Sequence, residues 1–230
     1  MDGNVQLEGY MVFNGAASGT RPGVLVVHQW GGLGAYEKGR ADLLAEMGYV
    51  AFAVDIYGKG VRPTLVPAKQ AESTKYKSDR ALFRSRLMAG YKTLLSEKKV
   101  DSTKTAAIGY CFGGTGVLEL ARAGAPVRGV VSFHGGLDSP TPADGRNIRA
   151  KVLILHGADD PFVPQTDIDS FVKEMRDARV DWQMVSYGGA VHSFTEREAG
   201  NDPSRGAAYN ANADRRSWEA MKAFFAEIFR

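Results

Sequence analysis

The sequence has one cysteine, Cys111, among its 230 residues. A lone thiol cannot close an internal disulfide, so the fold does not depend on an oxidising compartment, and a cytoplasmic location is the expectation. A large excess of one charge is also missing. The formal net charge is +3, which gives no reason to expect a nucleic-acid or membrane partner. No apolar run reaches the roughly 20 residues needed to span a bilayer. Residues 1–6 lack the basic segment and apolar core of a signal peptide. Internal repeats and low-complexity segments are absent as well, and a chain of this length can bury one sizeable core, so a single domain spanning residues 1–230 is expected.

What is present is an alternation of apolar runs with helical patterns. Residues 5–13 read as an amphipathic strand, 15–23 as a turn rich in Gly and Ser, and 24–27 as a β-branched run of the kind buried on both faces. A helix follows over 36–47, with Leu43, Leu44 and Met47 on one stripe and Gly48 as its stop. Strands are expected at 50–56, 105–108, 127–133, 151–155 and 182–187, and helices at 79–98, 115–123, 166–178 and 211–229. Strands alternating with helices mean an α/β fold: a mostly parallel central sheet with helices on both faces. Two stretches, 57–78 and 193–209, are too long for bare connections. They follow the carboxyl ends of strands, where such sheets place their ligands, and 57–78 is expected to cap or flank the site.

The sequence Gly109-Tyr110-Cys111-Phe112-Gly113-Gly114 falls between an expected strand and an expected helix. A strand that reverses into a helix within a few residues strains the residue at the turn and needs glycines beside it for clearance. Cys111 stands where such elbows carry their nucleophile. A thiol of ordinary pKa is mostly protonated at neutral pH, so it needs a base, a positive charge or a helix N-terminus to react. Four histidines are available, and His192 is the candidate base, because it follows the last strand on a loop that can carry an imidazole across the sheet. In the segment His156-Gly157-Ala158-Asp159-Asp160-Pro161, the spacing selects Asp160 as the carboxylate that orients it, and Asp159 reads as a turn residue. His28, His134 and His156 read as hydrogen-bonded structural groups. The order nucleophile, acid, histidine is that of α/β-hydrolases. The backbone N–H groups of Phe112 and Trp30 are the expected oxyanion donors.

These motifs, with His28-Gln29-Trp30-Gly31-Gly32-Leu33, Val54-Asp55-Ile56-Tyr57-Gly58, Phe133-His134-Gly135 and Gly189-Ala190-Val191-His192-Ser193-Phe194, resemble the dienelactone hydrolase family (carboxymethylenebutenolidases) over nearly the whole chain. The resemblance implies the α/β-hydrolase fold, a Cys111–His192–Asp160 triad, and hydrolysis of a small lactone or carboxylic ester through a thioester acyl-enzyme. No metal or organic cofactor is implied, and the expected partner is the small-molecule substrate, on a monomer or small homo-oligomer.

Two departures stand out. Where the family has a glutamate that helps deprotonate the cysteine, this chain has Gln29, which cannot take a proton at neutral pH. Gln29 is therefore assigned to substrate binding, and His192 is expected to activate Cys111 directly. The second departure is Glu196, which stands where the family places an arginine that binds a substrate carboxylate. A carboxylate there repels such a ligand. The alternative reading, a ligand-binding or sensing protein that has lost efficient turnover, follows from Gln29.

Overall fold

The apolar runs form a seven-stranded sheet in a computed structural model that describes residues 2–16 and 18–230. The strands are β1 (Tyr10–Val12), β2 (Arg21–Val27), β3 (Val50–Val54), β4 (Val100–Tyr110), β5 (Gly129–Phe133), β6 (Lys151–Gly157) and β7 (Trp182–Tyr187). The helices are α1 (Ala35–Glu46), α2 (Val66–Ser78), α3 (Arg80–Ser96), α4 (Phe112–Arg122), α5 (Gln165–Ala178) and α6 (Ala211–Ile228). The strands lie in the order β1-β3-β2-β4-β5-β6-β7. Only β1 runs antiparallel to its neighbour.

Side chains alternate across the central strands and feed two cores. Val24 and Val26 of β2 pack with Leu44 of α1 and Met221 and Phe225 of α6. Leu25 and Val27 point to the opposite face, with Leu87 of α3, Leu118 of α4 and Phe171 of α5. Helices on both faces satisfy a mostly parallel sheet, whose strands are buried on both sides. The order reverses between β2 and β4, and Val27 is in register with Gly109. The loop after β2 and the turn after β4 therefore emerge side by side at the carboxyl edge, where open sheets of this type bind ligands.

Several expected boundaries shift, each for a local reason. The first strand is only Tyr10–Val12 rather than 5–13, and β2 begins at Arg21, inside the expected turn. The strand before the elbow is longer than 105–108. It pairs Pro22 with Asp101, then Gly23 with Thr105, and residues 102–104 bulge out. The Asp101 carboxylate accepts from the N–H and hydroxyl of Thr103, which stabilises that local turn. Leu43 is exposed, and the inward stripe of α1 is Ala41, Leu44 and Ala45. The stretch 57–78 contains a helix, α2. It starts with Pro67 in its first turn, where the missing N–H is no loss, and ends with Lys75 and Lys77 in the last turn, where cations suit the helix dipole.

Among the described residues, no helix is long and apolar enough to cross a membrane.

Candidate active site

β4 ends at Tyr110 and α4 begins at Phe112, so Cys111 alone turns the chain, with φ 54° and ψ −115°. Such a conformation costs a non-glycine residue about 1–3 kcal/mol and persists only where the surroundings impose it. A Cβ on Gly109 would collide with the backbone of Gly113, and one on Gly113 with the carbonyl of Val27. Strand and helix thus meet backbone to backbone, and the thiol stands at the N-terminus of α4. Four described non-glycine residues have positive φ. Arg179 caps α5, and the other three, Cys111, His134 and Ser193, cluster here, so strain is concentrated at this edge of the sheet.

Asp160 is buried just after β6, and its Oδ2 lies 2.8 Å from Nδ1 of His192. Its Oδ1 accepts the backbone N–H of Phe162 at 2.9 Å, which leaves the carboxylate little freedom to turn. The returning chain clamps His192 in turn. The N–H of His192 donates to Gly206 O at 3.2 Å, and its carbonyl accepts from Ala208 N at 3.0 Å. The stretch 193–209 is thus the strap that fixes the histidine loop.

Burial pushes the Cys111 thiol pKa up, but the charge and hydrogen bond of His192, with the backbone N–H groups of Phe112 and Trp30, outweigh it and bring the thiol below its ordinary value. Burial pulls the His192 pKa down, but the Cys111 thiolate and Asp160 outweigh that and push it up to about 10. Both directions favour a resting thiolate–imidazolium pair. The structure thus brings Cys111, His192, Asp160 and the Trp30 and Phe112 amides together.

The loop that carries Trp30 is braced by Glu37, Tyr57, Arg62 and His28, of which the sequence reading singled out only His28, as a hydrogen-bonded structural group. Glu37, buried in the first turn of α1, accepts the N–H of Gln29 at 3.1 Å and of Gly34 at 2.9 Å. Glu37 thus supplies the N3 half of a capping box, but the N-cap is Gly34, which has no side chain to complete it, so the sequence carries no full signature. Tyr57 donates its hydroxyl to Trp30 O at 3.1 Å, and Arg62 donates to Leu33 O at 2.6 Å. His28 donates from Nδ1 to Gln29 O at 2.6 Å and accepts from Ile56 N–H at Nε2, 3.2 Å away. It is a satisfied neutral imidazole, and burial keeps its pKa below the ordinary value.

His134 is more than a filler. Its Nδ1 accepts the N–H of Cys111 at 3.2 Å, so the other nitrogen carries the proton and donates to Thr195 Oγ1 at 2.7 Å. Burial, reinforced by the charge of His192, holds its pKa well below the ordinary histidine value. Thr195 Oγ1 lies 2.6 Å from Tyr36 Oη, which accepts from Arg40, itself paired with Asp214 at 2.8 Å. One chain of hydrogen bonds therefore ties the nucleophile turn to the histidine loop, to α1 and to α6. The Nδ1 of His156, in contrast, has no hydrogen-bond partner among the described residues.

A cleft of about 520 Å³ lies over Cys111 and His192. A second cavity of about 770 Å³ adjoins it, with Trp30 in the wall of both. Gln29 and Glu196 line the second cavity, where the Gln29 amide is close enough to oppose the rise in the Glu196 pKa. Neither is among the residues that line the cleft. Burial, then the charge of Glu37, raises the Glu196 pKa. Among the described residues, no group of three or more His, Cys, Asp or Glu side chains is placed to hold a metal ion.

Comparison with known proteins gives a consistent picture. The model of the dienelactone hydrolase family matches residues 7–229. An uncharacterised protein of Caenorhabditis elegans is 38% identical over 149 residues, 63% of this chain and 92% of the relative. A solved structure named m3DLH is 40% identical, with a TM-score of 0.96 over 100% of this chain and 96% of the other. The crystal structure of a dienelactone hydrolase-like promiscuous phosphotriesterase from metagenomic libraries is also 40% identical. Its TM-score is 0.94 over 100% of this chain and 96% of the other.

Proposed function

The chain belongs to the dienelactone hydrolase family of α/β-hydrolases, and from that premise we propose that it hydrolyses a small carboxylic ester or lactone through a thioester on Cys111. The observation that carries this reading is the geometry of the cleft: Cys111 is held in a strained turn at the N-terminus of α4 and lines one cleft with His192, whose Nδ1 lies 2.8 Å from Asp160 Oδ2. The charges of the thiolate and the imidazolium favour each other against burial.

In the first half-reaction the Cys111 sulfur attacks the carbonyl carbon, and the carbonyl π pair moves onto oxygen. The N–H groups of Trp30 and Phe112, which donate to sulfur in the resting state, are within reach of that oxyanion. Preorganised donors of this kind are worth about a hundredfold or more in turnover each. The oxyanion collapses, the bond to the leaving oxygen breaks, and His192 gives that oxygen its proton. The acyl group then sits on sulfur and the thiolate charge is gone. His192, now neutral, takes a proton from water, hydroxide adds to the thioester, and the carbon–sulfur bond breaks to return the thiolate. Asp160, on Nδ1, keeps the reacting nitrogen facing the cleft.

The test is hydrolysis of p-nitrophenyl acetate by the wild type and by Cys111→Ala, with mass spectrometry of the protein during turnover. The expected result is sustained turnover, a transient acyl adduct on Cys111, and a loss of about a thousandfold or more in the variant. A single acylation with no turnover overturns the reading in favour of a sensor, and activity that survives in the variant overturns the choice of nucleophile. One observation favours a second activity at the same thiolate: the 40% identical phosphotriesterase. A neutral phosphotriester offers an electrophilic phosphorus to the nucleophile and an oxygen to the two amides, and its turnover is read on the same two proteins.

A further inference from the structure

Five large hydrophobic side chains are exposed among the described residues, and the three most exposed are Leu65 at 72%, Val66 at 60% and Phe162 at 60%. Val66 and Phe162 line the cleft over Cys111, and Leu65 precedes Val66 at the start of α2. Apolar surface left in water at the mouth of a cleft marks a place where a ligand covers it. Phe162 is also tied to the catalytic groups. Its N–H is held by Oδ1 of Asp160, the carboxylate that orients His192, and its ring meets the His192 ring edge-on at 5.5 Å between centroids. The apolar wall is built into the catalytic group.

The charge pattern points the same way. α2 faces the cleft with Val66, Gln70, Ser73, Thr74 and Lys77, at helical spacing. Lys77 is the one permanent charge among the cleft-lining residues, since Cys111 and His192 cancel as a pair. Its ammonium lies 3.7 Å from Asp138 Oδ1, so it is already partly neutralised. Asp138 is also bound by Arg80, which is not among the cleft-lining residues. The cleft therefore offers an apolar wall, neutral polar groups and a single cation, Lys77, which shares Asp138 with Arg80.

We propose that the substrate is an uncharged ester whose hydrocarbon or aryl group seats between Val66 and Phe162, and not an anionic lactone. This rests on the hydrolase reading of the same site and narrows it to a substrate class. The experiment compares kcat/KM for p-nitrophenyl acetate, pentanoate and hexanoate and for the anionic p-nitrophenyl hemisuccinate. It uses the wild type, Phe162→Ser, Val66→Ser and Lys77→Gln.

Hexanoate adds four methylenes to acetate, worth about two-hundredfold if all were fully buried, and on this partly open wall a gain of about tenfold is expected in the wild type. Pentanoate should exceed the hemisuccinate of similar length by about tenfold or more. In Phe162→Ser and Val66→Ser the hexanoate-to-acetate ratio falls, mainly through KM, and Lys77→Gln leaves the charge preference in place.

A wild type that prefers the hemisuccinate, with the preference lost in Lys77→Gln, overturns the inference and leaves the hydrolase reading intact. A dimer by sedimentation that dissociates in Phe162→Ser, with chain-length preference unchanged, overturns it in favour of a second copy of the chain on this surface. No turnover of any ester overturns the inference and the hydrolase reading together.

Discussion

The two cavities that share Trp30 differ in what they can do. The larger is lined by Arg40, Arg62, Lys69 and Arg197 and by Glu37, Glu196, Glu198 and Asp214, so its charges balance. Arg40 binds Asp214, Arg62 donates to Leu33 O, and Glu37 holds the backbone of the Trp30 loop. Most of its polar groups are thus bound to one another or to the backbone. The smaller holds a strained cysteine, a charged histidine and two amides aimed at the sulfur. Size favours the first cavity and chemistry the second. Polar groups that satisfy each other build a scaffold, whereas a residue held in strain, with donors gathered on its reactive atom, builds a site.

That contrast is open to attack from both sides. The largest effect is expected at the histidine. His192→Ala removes the acid, the base and the charge that lowers the thiol, and should cut kcat/KM for a p-nitrophenyl ester by about ten-thousandfold. Asp160→Asn should fall nearly as far, with the protein still folded by circular dichroism.

Glu37→Ala strikes the wall between the cavities. It leaves the N–H groups of Gln29 and Gly34 without their acceptor, at about 1–3 kcal/mol each in a denaturant titration. It should also lower kcat by about tenfold as the Trp30 amide loses its fixed position.

Thr195→Val breaks the link from His134 to Tyr36 while keeping the shape of the side chain. A loss of about 1–3 kcal/mol in stability and a smaller loss in kcat are expected. Glu196→Gln, on the far side of Trp30, is expected to change kcat/KM by about twofold at most, the scale of exposed or redundant polar contacts. A larger loss there would transfer part of the chemistry to the bigger cavity.

The pH dependence of acylation sharpens the same contrast. Below the lowered thiol pKa the nucleophile is protonated, and above about 10 His192 has lost the proton it must donate. Single-turnover acylation should therefore rise at a lower pH than an ordinary thiol would allow and fall again near pH 10.

The site's skeleton was legible because it is written in local patterns. Two glycines around Cys111, a strand before it and a helix after it need no tertiary information, and β7 has the bounds its apolar pattern indicates, Trp182–Tyr187. The helix α2 was not legible as a helix, because only Tyr76 is buried among its residues. A helix that lays one edge on the protein shows no apolar stripe. The chain from Cys111 through His134 and Thr195 to Tyr36 was hidden for another reason. It joins residues 61 and 159 positions apart in sequence, and no local rule connects them. Gln29 was assigned to substrate binding and Glu196 was read as repelling a substrate carboxylate, yet both line the adjoining cavity and neither lines the cleft over Cys111.

The measurement that tests the central claim most directly is a pH titration of the thiolate ultraviolet absorbance in the free enzyme, wild type against His192→Ala. With one cysteine in the chain, the signal belongs to Cys111 alone. The account predicts a wild-type thiolate that forms at lower pH than an ordinary thiol and is lost on acidification. In the variant the thiol returns to an ordinary or higher pKa, because the charge that opposed burial is gone. A wild-type thiol that titrates at its ordinary value, unmoved by the loss of His192, would contradict the ion pair on which the mechanism rests.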